Sequence, residues 1–115
     1  MHELGIVFYI IRDAKEAALQ NSVNHISKVV MNIGEVSTVI PDLLQDCWKW
    51  AVAKEEMMTG CELVVNRIPA INHCNSCQRR YSAVEHGRTC PDCGSEDTWL
   101  EQGNDVEIKE IEVTE

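Results

Sequence analysis

Cys74-Asn75-Ser76-Cys77 and Cys90-Pro91-Asp92-Cys93-Gly94, with twelve residues between them, decide how the second half of this chain folds. Two residues between thiolates let both sulfurs of a pair turn toward one ion. Two such knuckles brought together form a tetrahedral S4 cage, the arrangement structural Zn(II) prefers and one that also suits iron. Pro91 to Gly94 is tight-turn chemistry, and Asn75 and Ser76 are small polar residues where the backbone must bend. Two disulfides in a secreted domain are the competing use of such pairs. No basic, apolar leader precedes them, so a reducing compartment and a metal are expected. Cys47 and Cys61 stand outside the pairs and are expected to be small buried hydrophobes.

The 115 residues suit one ordinary domain or two small ones sharing a core. Only 5% of residues are aromatic, so the core should be aliphatic. The apolar run Ile6 to Ile11 is closed by Arg12-Asp13, far short of the ~20 residues that span a bilayer. A soluble, cytoplasmic protein without a membrane span is expected. The net charge of −9 opposes nucleic acid, because phosphate binding is driven by Lys and Arg. The one basic spot, Gln78-Arg79-Arg80-Tyr81, reads as a solvated loop or a protein contact.

Leu4 to Gln20 reads as a helix, with Leu4, Val7, Ile11, Ala14 and Ala18 on one stripe and Phe8 widening it. Ile6, Tyr9 and Ile10 make its first half apolar nearly all round, which fits deep burial or an exposed contact patch. Ile26 to Ile33 is β-branched and reads as a strand closed by Gly34. Pro41 suits the first turn of a second helix, with Leu43, Leu44, Cys47, Trp48, Ala51 and Val52 as its buried stripe. Cys61 to Ile68 reads as a second strand, broken by Pro69. Val106 to Val113 alternates as a last strand, with a slip of phase at Lys109-Glu110. The cysteine module is too small to offer that strand much of a sheet, so it should return to the first half. The expected fold class is α+β: two helices on a small mixed sheet, with an inserted four-cysteine zinc-ribbon domain. Residues 1–69 plus 103–115 would form one domain and residues 70–102 the zinc-binding one.

The opening Met1-His2-Glu3 has chemistry of its own. The imidazole Nδ1 of His2 closes a chelate ring with its own backbone nitrogen, and the Met1 amine closes a second. The amide nitrogen of Glu3 or its carboxylate can fill a fourth place. Planar nitrogen-rich sets favour Ni(II) and Cu(II) over Zn(II) or Mg(II).

Taken together, Met1-His2-Glu3-Leu4, Ile33-Gly34-Glu35-Val36-Ser37 followed by Pro41, the ribbon of Cys74, Cys77, Cys90 and Cys93, and the closing Ile111-Glu112-Val113 resemble the HypA/HybF family. Its members deliver nickel during maturation of NiFe-hydrogenase. The likeness covers essentially the whole chain. It implies a metallochaperone and not an enzyme, with Ni(II) as transported cargo on Met1, His2 and Glu3, and structural Zn(II) on the four cysteines. It also implies a HypB-type GTPase and the NiFe-hydrogenase large subunit as partners. The sequence does not decide between hydrogenase and another nickel enzyme such as urease, nor whether the chain acts as a homodimer. Asp42 is the acid nearest the start of the second helix, His73 precedes Cys74, and His86 lies between the pairs; none receives a role from sequence. His25 is expected at the surface or at a cap. No nucleophile elbow, phosphate loop or HExxH occurs, so no catalytic residue is expected.

Overall fold

The structure, a computed structural model, describes residues 3–114. The chain runs α1 (Glu3–Gln20), β1 (His25–Gly34), α2 (Pro41–Val52), a 3-10 turn (Glu56–Met58), β2 (Glu62–Ile68), β3 (Ile71–Cys74), β4 (Arg80–Ser82), α3 (Ala83–His86), β5 (Thr98–Gln102) and β6 (Val106–Thr114). Two compact units result. One draws on the chain up to Asn32, Val39–Asn66 and the chain from Glu107; the other on Ile33–Thr38 and Arg67–Val106.

The first unit holds α1, α2 and a sheet of order β2-β1-β6. His25, at the start of β1, bonds the carbonyl of Thr59 just before β2, and Asn32 near its end meets Asn66 near the end of β2. β1 and β2 therefore run the same way, and α2 is the crossover such a pair requires. On the other flank His25 meets Thr114 and Asn32 meets Glu107, so β6 runs against β1. The sheet is mixed, as the residue pattern predicts. Central β1 buries Val29, Val30 and Met31 in succession. Edge strand β6 instead exposes Glu107, Lys109, Glu110 and Glu112, charges that discourage pairing with another chain. Its burial slips phase at Lys109-Glu110, where the alternation in sequence slips.

Pro41 occupies the first turn of α2, where its missing N–H costs nothing. Gln45 and Trp48 of α2 donate to the carbonyls of Leu63 and Cys61, tying the helix to β2. The core stripes of both helices differ from expectation. Leu4 and Phe8 are exposed, and Ile10 is fully buried with Val7, Ile11, Ala14 and Ala18. Tyr9 is exposed. A helix nearly apolar all round leaves the choice of buried face to its neighbours, and here packing against α2 selects it. On α2 only Leu44, Trp48, Ala51 and Val52 are fully buried; Leu43 and Cys47 are half-exposed.

The second unit carries a small sheet of its own, and the last strand, β6, returns to the first unit as expected. The order of the small sheet is β4-β3-β5, antiparallel throughout, pairing His73 with both Arg80 and Trp99. Ser82 caps α3 by accepting from the Glu85 N–H. Beside the sheet, Gly34 donates to the Asp105 carbonyl, Val36 to Gly103, and Ala70 to the Glu35 carboxylate. A Cβ on Gly34 would lie 2.1 Å from the Gly103 oxygen, so only glycine permits this approach.

Candidate metal centre and the helix termini

The two knuckles have the same local structure built twice. In each, the N–H four residues after the first cysteine returns to its carbonyl: Gln78 to Cys74, and Gly94 to Cys90. Both returning residues are left-handed, with φ 66° at Gln78 and 74° at Gly94. Each first-cysteine N–H then donates five residues on, Cys74 to Arg79 and Cys90 to Ser95. Glycine enters the second turn without strain; Gln78 enters the first, where its side chain meets His73 and the Asn75 carbonyl.

Contacts between the knuckles hold them face to face. Ser76 bonds Ser95, Asn75 bonds Asp97 through backbone and side chain, and Arg79 pairs with Asp92. The Arg79-Arg80 stretch is therefore more than a solvated loop, since Arg80 sits in β4 and pairs with Glu101.

All four sulfurs lie within 4.8 Å of one another, and Cys74–Cys93 and Cys77–Cys90 are each 3.6 Å apart. Tetrahedral Zn–S bonds of about 2.3 Å put ligand sulfurs about 3.8 Å apart, so the cage fits such an ion. All six cysteines are free thiols, which removes the disulfide alternative. Cys74 and Cys90 are buried, Cys77 and Cys93 exposed.

The cage is charge-frustrated without a cation. The Cys77 backbone N–H donates to Cys74 and draws its thiol down to about 6, and the Cys93 N–H likewise lowers Cys90. Cys77 receives the Arg79 N–H, yet desolvation and the Cys90 sulfur prevail and push it up to about 12. Cys93 receives the Ser95 N–H and is also raised, by desolvation and Cys74. Two sulfurs ionise readily and two resist, because four thiolates cannot share one site unless a cation compensates them.

No histidine joins this group among the described residues. His73 neighbours Cys74 on a strand, so the two side chains point to opposite faces. Its Nε2 bonds Gln78, its ring leans on Trp99 at 5.5 Å, and Glu101 lies 3.6 Å from Nδ1. His86 packs edge-on to Tyr81. His25 is no helix cap; it pins β1 to both flanks. Cys61 is buried, as expected, and its thiol is pushed up to about 11 by desolvation and then by the charge of Glu62. Cys47 instead lines a shallow apolar groove of about 270 Å³ with Leu4, Asp46 and Trp50. Phe8 meets Trp50 edge-on beside it.

Met1 and His2, both expected to hold nickel, lie outside the described residues. Glu3 is described, and sequence reasoning missed its surroundings. It is 3% exposed, and its Oε2 accepts the backbone N–H of Ile40 at 2.9 Å. Asp42 is exposed in the first turn of α2. No helix among the described residues is long and apolar enough to cross a membrane.

A family model described as hydrogenase/urease nickel incorporation, metallochaperone, hypA matches residues 1–113. Hydrogenase maturation factor HypA of Actinobacillus succinogenes is 30% identical over 98% of this chain and 99% of its own length. Hydrogenase maturation factor HybF of Morganella morganii is 30% identical over 97% of this chain and 98% of its own. In fold, the chain is similar to the solution structure of the Ni metallochaperone HypA from Helicobacter pylori. The TM-score is 0.71 at 23% identity, covering 98% of this chain and 97% of that one.

Proposed function

Because the chain belongs to the family of hydrogenase/urease nickel-incorporation metallochaperones, which carry metal and are not enzymes, we propose that it takes up Ni(II) through Met1, His2 and Glu3 and delivers it to NiFe-hydrogenase. One observation carries this reading: the family match begins at residue 1, so the donors of Met1-His2-Glu3 fall within it. Where Met1 bears the free amine, that amine, the His2 imidazole and backbone nitrogens form a planar set suited to Ni(II). Glu3 opens α1, where a backbone N–H has no intrahelical acceptor, so binding a metal at that nitrogen breaks no helical bond. Protons compete for every one of these donors, so uptake weakens as pH falls.

Release is ligand exchange. A partner docks and its own donors displace the terminal ones in turn. The proposed partners are a HypB-type GTPase and the NiFe-hydrogenase large subunit, meeting the apolar surface of Leu4, Phe8, Tyr9 and Trp50, all exposed. Urease is a second recipient of the same cargo, the working compartment is the cytoplasm, and a homodimer is the assembly to test. Residues 1–69 plus 103–115 form the nickel-binding domain in this reading. Residues 70–102 form the zinc-binding domain, with Zn(II) on Cys74, Cys77, Cys90 and Cys93 closing the shell against water and serving shape rather than chemistry.

Nickel titration of untagged protein, of His2→Ala and of a form extended before Met1 tests the terminal site. Both altered proteins should lose tight binding and the square-planar diamagnetic spectrum while retaining stoichiometric zinc. Unchanged nickel affinity in either rejects it.

A further inference from the structure

We propose that the Glu3 carboxylate is a positioning residue that clamps the start of α1 to the start of α2. The proposal deepens the terminal-chelate reading and rests on it for the nickel arm of its test alone.

A glutamate in the first turn of a helix ordinarily stays in water, where the helix dipole already favours it. Glu3 is instead almost wholly buried. Burial of a carboxylate persists only where strong hydrogen bonds replace its water. The group it meets is a backbone N–H with little other recourse. Ile40 precedes α2, has no side-chain oxygen and leaves the helix without a side-chain cap. Pro41, next in the chain, has no N–H at all. The Ile40 N–H lies on the outer side of that residue while its carbonyl accepts from Leu44 in the first helical turn. Glu3 Oε2 completes the other half of the peptide geometry at 2.9 Å, across 37 residues of sequence.

The carboxylate thus fixes Glu3, and with it the point from which Met1 and His2 depart, against the first turn of a second helix. Ordering one end of a short chelating segment before the metal arrives reduces the entropy lost on binding. The same charge lies at the starts of two helices, whose dipoles both disfavour a cation. It offsets that term without leaving its bond.

The test uses full-length untagged protein carrying Glu3→Ala or Glu3→Gln. Its readouts are thermal midpoint and Ile40 amide exchange in nickel-free protein, then nickel titration. Glu3→Ala should speed exchange at Ile40 roughly tenfold or more, lower the midpoint and weaken nickel binding. Glu3→Gln retains a carbonyl acceptor at Oε1 and should restore most of all three. If Glu3→Ala unfolds, Glu3→Gln decides alone. Loss of nickel affinity in Glu3→Gln with native exchange and midpoint would show that the carboxylate serves nickel by its charge or as a ligand and not by its clamp, and would overturn the proposal. So would a Glu3→Ala protein whose nickel-free exchange and midpoint stay native. The terminal chelate fails separately: His2→Ala that still binds nickel sinks that reading, while the nickel-free effects of Glu3→Ala remain.

Discussion

Single side chains in this protein do their work by joining segments distant in sequence. Glu3 reaches Ile40, His25 reaches both Thr59 and Thr114, and Trp48 reaches Cys61. Arg79 and Asp92 do the same between the knuckles, and this pair makes a pH prediction. The Arg79 guanidinium donates to Asp92 and holds its carboxyl below the usual carboxylate range. A folded value below the unfolded one means the contribution is complete above about pH 4 and is lost as pH falls through the lowered value. Both side chains are about half exposed (46% and 53%), so solvent screening keeps that contribution small. A carboxyl-carbon NMR titration should place Asp92 below ordinary aspartates, and Arg79→Gln should bring it back. A midpoint indifferent to that change removes the ion pair from solution. None of these partners could be read from spacing, because each depends on which loops meet.

At the level of elements, the segments were largely legible and their faces were not. Helix α1 ends at Gln20 and α2 starts at Pro41 as their patterns suggest, and β1 and β2 fall within a residue of their expected bounds. A β-branched run, a proline in the first helical turn and apolar spacing are local signals, so local sequence carries them. Which stripe of α1 is buried is a property of what packs on it: Leu4 and Phe8, expected inside, are exposed, and Ile10, open to either outcome, is buried. The short strands β3, β4 and β5 escaped because three to five residues hold too little alternation to register. The end of β1 makes the sharpest prediction at this scale. Gly34→Ala drives a methyl into the backbone carbonyl of Gly103, 2.1 Å from its oxygen. Denaturant unfolding should show a loss of roughly 1–3 kcal/mol, as overpacking does elsewhere. Unchanged stability would mean that this crossing is looser than drawn.

For the molecule as a whole, two cores of unlike kind follow from two kinds of sequence. The first unit rests on aliphatic burial from helices and sheet. In the second, Cys74, Tyr81 and Cys90 form a small buried cluster, little apolar surface for a sheet to stand on. Removing the cysteine-bound metal with a chelator should therefore collapse the amide NMR dispersion of β3, β4 and β5 while the signals of α1, α2 and β1 keep their native positions. Zinc should restore it in a stoichiometric titration. Survival of the β3–β5 signals without metal would show that the contacts between the knuckles suffice. A four-thiolate cage, an α+β fold class and a nitrogen-rich start like that of a nickel carrier were already written in the order of residues. Thiolate spacing, residue order and period are local chemistry, and a chain carries them before it folds. Folding added the burial of Glu3 against Ile40, the separate sheet of the cysteine unit, and the open surface that Phe8 and Trp50 share. Those outcomes turn on which surfaces lose water to one another, a competition settled among segments tens of residues apart.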